Sequence, residues 1–167
     1  MTTDEESFRR WAGERQLALL RTAVLLTGDR HRAEDLVQEA LTKVALRWRR
    51  LRDDNPEAYA RRILVRDNIS AWRKRRHEVV SDQEPRVDVP DHAPATERRM
   101  ALDLALASLT PRQRAVVVLR YYDDLTERAT ADALGVSVGT VKSQTHLALR
   151  RRREAAPELA ELLGEES

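Results

Sequence analysis

A glycine set between two helical patterns constrains this chain more than any other feature. Thr126 suits a helix N-cap, and the segment Glu127 to Leu134 turns Ala131 and Leu134 inward before Gly135 stops it. Ser137 caps the next segment, in which Val141, Thr145 and Ala148 recur at helical spacing. Lys142, Ser143, His146 and Arg150 fall on the opposite side of that segment. A short helix, a glycine turn and a second helix with a polar, basic outer face make a helix-turn-helix. The plainer reading is a helical hairpin with a solvated face, but the motif outweighs it: short polar groups suit base edges and long cations suit phosphates.

Charge supports a polyanionic partner. The formal net charge is only +2, yet residues 61–77 hold seven bases and one acid, and residues 142–153 hold five bases and no acid. Residues 78–97 carry six acids against one base, and residues 154–167 carry five acids. Two compact basic blocks, each at the end of a helical segment, suit contact with a polyanion at two places. The chain has no cysteine, which excludes a disulfide framework and thiol metal sites. The start MTTDEESF is acidic and lacks an apolar signal core, and the longest aliphatic stretch, Ala115 to Leu119, is far too short to span a bilayer. The expectation is a soluble, cytoplasmic protein with no membrane insertion.

The periodicity predicts an all-α fold of two small helical domains joined by a flexible acidic linker, the second containing the helix-turn-helix. A first helix is expected over about Ser7 to Leu26, with Phe8, Trp11, Leu17, Leu20 and Val24 as its apolar positions. Thr27-Gly28-Asp29 breaks it. A second helix is expected from Arg32 to Arg49, with the stripe Ala33, Leu36, Val37, Ala40, Leu41, Val44 and Trp48. Asn55-Pro56 starts a third, which runs to about His77. On it Val65, Ile69 and Trp72 form one face, and Arg62, Arg66, Arg73 and His77 another. Residues 78–95 have no helical period, three prolines and mostly acidic charge, the signature of a linker. A helix near Thr96 then buries Leu102, Leu106 and Leu109. The capping box Thr110-Pro111-Arg112-Gln113 opens another, through about Tyr122, with Val116, Val117 and Leu119 inward. The domains are thus 5–77 and 96–155, followed by an acidic tail over 156–167.

Two segments resemble bacterial sigma factors. Asp29-Arg30-His31-Arg32-Ala33-Glu34-Asp35-Leu36-Val37-Gln38-Glu39-Ala40 resembles their core-polymerase-binding motif. Ala107 to Arg150, through LTPRQRAVVVLRYYDDLT and ALGVSVGTVKS, resembles their promoter-binding C-terminal domain. With these two domains alone, in this order, the chain resembles the extracytoplasmic-function group. The resemblance implies a non-enzymatic sigma subunit that binds core RNA polymerase and directs promoter recognition, DNA melting and transcription initiation.

It implies roles for particular residues too. Asp35, Gln38 and Glu39 match positions that dock on the polymerase clamp, and their spacing independently puts all three on one helix face. The loop Arg49 to Asn55 and the helix after it match the part that reads and melts the minus-ten element. There Arg62, Arg66, Arg73, Lys74, Arg75 and Arg76 supply cations, and Tyr59 offers a stacking face. Many relatives carry asparagine at or near Arg66, so the resemblance does not carry the usual minus-ten bases over to this chain, and the effect of Arg66 on that preference stays open. Trp48 and Trp72 fit core positions better than base platforms. Val138, Gly139, Thr140, Lys142, Ser143, His146 and Arg150 match the surface that faces the minus-thirty-five major groove. Arg112 and Arg114 are open between phosphate contacts and solvation. The acidic linker matches the segment that enters the polymerase active-centre cleft, and is equally readable as a tether. Promoter DNA and core polymerase are the implied partners; whether an anti-sigma factor also binds stays open.

No catalytic set accompanies these motifs. His31, His77, His92 and His146 lack ligand spacing, no phosphate-binding glycine loop occurs, and no metal or other cofactor is expected. A stand-alone repressor or activator would need only the second unit and a dimer interface, leaving the first unexplained. A nuclease would need metal-binding carboxylates beside a basic groove.

Overall fold

The helix signals in the sequence are local hydrogen-bonding devices, and most act where they were expected. A computed structural model describes residues 2–78 and 97–155, with the side chains of 97–101, 152 and 155 undescribed. Apart from Glu78, the expected linker lies outside these residues, as does the tail. Thr2 caps α1 (Thr3–Thr27) by accepting from the Glu5 N–H at 3.3 Å. Gly28 ends it at φ +71°, a left-handed conformation that glycine adopts without strain. Asp29 caps α2 (Arg30–Leu46), accepting from the Arg32 N–H at 3.0 Å. Asn55 accepts from the Ala58 N–H at the start of α4 (Pro56–Glu78). After α5 (Glu97–Ala107), Thr110 and Gln113 form the reciprocal capping box of α6 (Pro111–Val117). Thr126 caps α7 (Glu127–Leu134), Gly135 ends it at φ +67°, and Ser137 accepts from the Thr140 N–H at the start of α8 (Val138–Ala155).

Three departures from expectation have physical causes. The second helix does not reach Arg49. It ends at Leu46, Arg47 leaves helical geometry, and Trp48–Leu51 forms a separate turn, α3. The break swings Trp48 onto α1, where its ring meets Phe8 at 5.5 Å and Trp11 at 5.4 Å and its Nε1–H donates to Ser7 Oγ at 2.7 Å. On α1, Leu17 is 58% exposed, and the inward stripe is Leu19, Thr22, Ala23 and Leu26. Two residues of helix are about 200° of rotation, so Leu17 and Leu19 cannot share a face. The helix from Pro111 changes pitch at Val118: a π-helical turn, Val118–Tyr122, follows, with Asp123 N–H bonded to the Val118 carbonyl at 3.0 Å.

The two helical units share a core. Ala33, Val37, Ala40 and Val44 of α2 and Ala60, Leu64 and Val65 of α4 are essentially sealed from solvent. Ala115, Val118 and Leu119 from the second unit pack into the same cluster, as does Ala133 of α7. Each valine or leucine removed from water there contributes about 1.5–3 kcal/mol. A smaller cluster joins Leu106, Leu109, Val117 and Ala148, with Leu25 of α1 against it, and a third joins Val116, Ala131 and Val141. No strand occurs among the described residues, and no helix there is long and apolar enough to cross a membrane.

Candidate polymerase and promoter surfaces

The inward stripe of α2 fixes what its other side presents. With Ala33, Val37 and Ala40 buried, Asp35, Gln38 and Glu39 are all exposed on one outer face. Glu39 is drawn toward Lys43 at 3.4 Å, and Lys43 also donates to Asp67 of α4 at 3.0 Å. The Asp67 hydrogen bond is the main cause holding the Lys43 ammonium above its ordinary pKa. Beside this face runs a groove lined by Arg32, Asp35, Leu36, Glu39, Asn68 and Arg75. Arg75, expected with the minus-ten cations, thus lies beside Asp35 and Glu39. Burial lowers its pKa, and the neighbouring Arg32 adds to the shift.

The remaining minus-ten candidates on α4 divide between solvent and the second unit. Arg73, Lys74 and Arg76 are exposed, and Arg76 lies over the Trp72 ring at 5.2 Å. Trp48 is buried, as its spacing suggested, whereas Trp72 is half-buried and engaged by that cation. Tyr59 is half-buried against the core; its hydroxyl accepts from Arg47, whose guanidinium sits 5.6 Å from the ring centre. Its ring is therefore not a free stacking platform. Arg62 is half-buried, and its Nε is sealed from solvent with no hydrogen-bond partner. Arg66 is exposed, but its guanidinium abuts the turn of the helix-turn-helix: a β-carbon at Gly135 would lie 2.8 Å from Nη2. The α4 face expected to melt DNA is thus partly covered by α7.

A polar clasp holds this closed arrangement. Asp123, just past the π turn, accepts from Thr22 Oγ1 of α1 at 2.8 Å and from Arg61 Nε of α4 at 3.2 Å. The pair is well shielded, with Arg61 and Asp123 side chains 16% and 13% exposed. Arg61 also meets Glu57 at 3.2 Å. A second tie comes from Arg114, whose Nε–H donates to the Leu25 carbonyl while its guanidinium covers Gly28. Arg114 is therefore neither solvated nor offered to phosphate, and burial pulls its pKa below the ordinary value. Sequence reasoning missed Thr22, Arg61 and Asp123. The local signal was Asp123-Asp124, where Asp124 takes φ +53°, but nothing local names partners 62 and 101 residues away.

The recognition helix faces outward. Lys142, Ser143, His146 and Arg150 are exposed, as is Gly139, and Val141 and Ala148 are fully buried beneath them. Lys142 lies 3.9 Å from Glu127 and Arg150 3.8 Å from Glu154, at most weak surface pairs that phosphate can displace. Thr140 is half-buried with its hydroxyl 2.9 Å from that of Ser137, and the Ser143 hydroxyl donates to the Thr140 carbonyl. Val138 departs from expectation: it is half-buried against the Val116–Ala131–Val141 cluster, so its side chain shapes the helix start. Among the described residues no group of histidines and acids is placed to hold a metal ion.

Comparison with known proteins matches both units. Residues 14–78 match Sigma-70 region 2, and residues 99–151 match Sigma-70, region 4. The chain is 40% identical over 149 residues to the RNA polymerase sigma-E factor of Streptomyces coelicolor, covering 88% of this chain and 84% of that one. It is 34% identical over 154 residues to the ECF RNA polymerase sigma factor SigL of Mycobacterium tuberculosis, with 87% and 86% covered. The fold is similar to that of the sigma factor RpoE in complex with the anti-sigma factor NepR from Bartonella quintana. That likeness has a TM-score of 0.72 at 24% identity, over 96% of this chain and 99% of that one. Two sigma-70 regions in this order, and relatives of this length and identity, make the chain a member of the extracytoplasmic-function sigma factors of bacterial RNA polymerase.

Proposed function

We propose that this chain works as a sigma subunit through three surfaces, one of which is partly covered until the two units part. The α2 face of Asp35, Gln38 and Glu39 docks on core polymerase. The α8 face of Gly139, Thr140, Lys142, Ser143, His146 and Arg150 reads the upstream promoter element in the major groove. The α4 cations Arg62, Arg66, Arg73, Lys74 and Arg76, with the Arg49–Asn55 loop, engage and melt the downstream element. Arg75 joins the docking side, beside Asp35 and Glu39. The protein is a regulatory transcription factor rather than an enzyme, and it works in the cytoplasm with the polymerase.

The observation that carries this reading is the contrast between α8 and α4. The basic face of α8 is open, while the Arg66 guanidinium abuts the turn at Gly135 and α7 packs on α4. The closed chain can present its duplex-reading helix before its melting helix. The likeness of this closed form to a sigma factor seen with its anti-sigma factor supports a partner of that kind here too.

Run-off transcription with purified core polymerase tests the reading. Asp35→Ala, Gln38→Ala and Glu39→Ala together should reduce association with core while helical content is unchanged. Lys142→Ala should weaken binding to all promoters alike, and Ser143→Ala should relax upstream discrimination by about 1–3 kcal/mol if it makes a direct base contact. Full activity and unchanged promoter selection in all of these variants would refute the assignment.

A further inference from the structure

The first turn of α1 reaches α3 and the residue that follows it. Asp4 Oδ2 lies 2.8 Å from Arg49 Nε, and its other carboxylate oxygen accepts from Arg52 Nη1. One carboxylate therefore holds two arginines, Arg49 in α3 and Arg52 just after it, more than forty residues further along the chain. We propose that Asp4 occupies the place of a DNA phosphate at this loop, weakening its grip on the promoter strand and setting how steeply that grip depends on salt. The inference rests on the proposed reading of Arg49–Asn55 as a minus-ten contact.

The carboxylate is held in place. Ser7 Oγ donates to the Asp4 carbonyl at 2.9 Å and itself accepts from Trp48 Nε1, so the helix start is tied to α3. Thr2 caps the same turn. Asp4 sits near the positive end of the helix, where its charge is stabilised. The side chain of Asp4 is 27% exposed, against 85% for Arg49. Solvent, and a nucleic-acid backbone, can thus reach the arginine from the side Asp4 leaves open. Arg52 is also flanked by Asp53 at 3.4 Å. A guanidinium neutralised by a carboxylate must give it up to bind phosphate, because both anions use the same planar donor edge.

The chemistry fixes the expected size. Exposed ion pairs are weak, so removing the competing charge should tighten binding by about threefold to tenfold at moderate salt. One more uncompensated cation at a single strand should steepen the dependence of log affinity on log salt by roughly 0.7.

The experiment uses holoenzyme assembled from the full chain and core polymerase, and a fluorescent single-stranded minus-ten oligonucleotide titrated over a range of salt. Asp4→Asn keeps the shape of the turn and removes its charge. Glu6→Gln makes the same change in net charge two residues further along the helix. The proposal expects tighter, more salt-sensitive binding for Asp4→Asn and parent-like binding for Glu6→Gln. Parent-like binding by Asp4→Asn overturns it, and so does weaker binding, which would make Asp4 a strut for the loop. An equal gain in both variants overturns it as well, since net charge alone would then account for the effect. Arg49→Ala with Arg52→Ala tests the underlying reading separately: if that double variant binds like the parent, the loop is not a DNA contact.

Discussion

Replacing Asp123 with alanine should loosen the closed chain without dissolving either unit. The substitution removes the acceptor for Thr22 Oγ1 and the anion facing Arg61 Nε. Taking one partner from a well-buried ion pair costs about 3–5 kcal/mol. The cost here is smaller for two reasons. Both side chains keep some exposure, and Glu57 still meets Arg61 at 3.2 Å, so the cation is not left alone. Adding the hydrogen bond lost by Thr22, we put the loss at about 2–3 kcal/mol, roughly a 30- to 140-fold rise in the open-to-closed ratio. The apolar contacts of Ala115, Val118, Leu119 and Ala133 remain, so opening is best followed across a urea series. The chain has no cysteine, which allows dyes to be placed at will. Gln16→Cys on α1 and Arg128→Cys on α7 are exposed positions, one on each unit. Energy transfer between them should be lost at lower urea in Asp123→Ala, before helical content falls. Superimposable transfer curves for parent and variant would refute the clasp.

Other consequences follow from the caps and turns. Asp29 has its pKa lowered chiefly by the hydrogen bond from the Arg32 N–H, so the stability it contributes is present above the unfolded carboxyl value of about 3.9 and is lost as pH falls through the lower folded value. Asp29→Ala should cost about 1 kcal/mol near neutrality, and thermal melts of parent and variant should converge in acid. Gly28→Ala and Gly135→Ala both force a β-carbon into left-handed backbone, at about 1–2 kcal/mol. The first should be the costlier in urea unfolding. Its new β-carbon meets the Arg114 guanidinium, pinned by the Leu25 carbonyl, whereas the second meets Arg66, an exposed side chain free to swing aside.

The parts of the fold legible in the sequence are those that depend on neighbours within one helical turn. Thr110 with Gln113, Thr126 with Gly135 and Asn55 before Pro56 satisfy backbone groups three or four residues away, so their meaning is local. The stripe of α2 is equally plain, and with it the outward face of Asp35, Gln38 and Glu39. What was hidden depends on distant partners. The break at Arg47 follows from where Trp48 must go to meet Phe8 and Trp11. The π turn leads directly into Asp123, which bonds Thr22 and Arg61. Arg75 read as a minus-ten cation and Arg114 as a phosphate contact or a solvated charge, because sequence gives their charge but not the groove or carbonyl they meet. The family resemblance pointed to candidate surfaces; it did not reveal that the two units pack against each other beside one of them.

The most direct test of this account follows the same pair of dyes in the parent chain through initiation. Transfer should be high in the free chain. It should fall when the chain, bound to core polymerase, forms an open complex on promoter DNA, as the α4 face parts from α7 and thymines near the start site become reactive to permanganate. Permanganate-reactive DNA with transfer still at the level of the free chain would contradict the account, since melting would then proceed with α7 still packed on α4 beside Arg66.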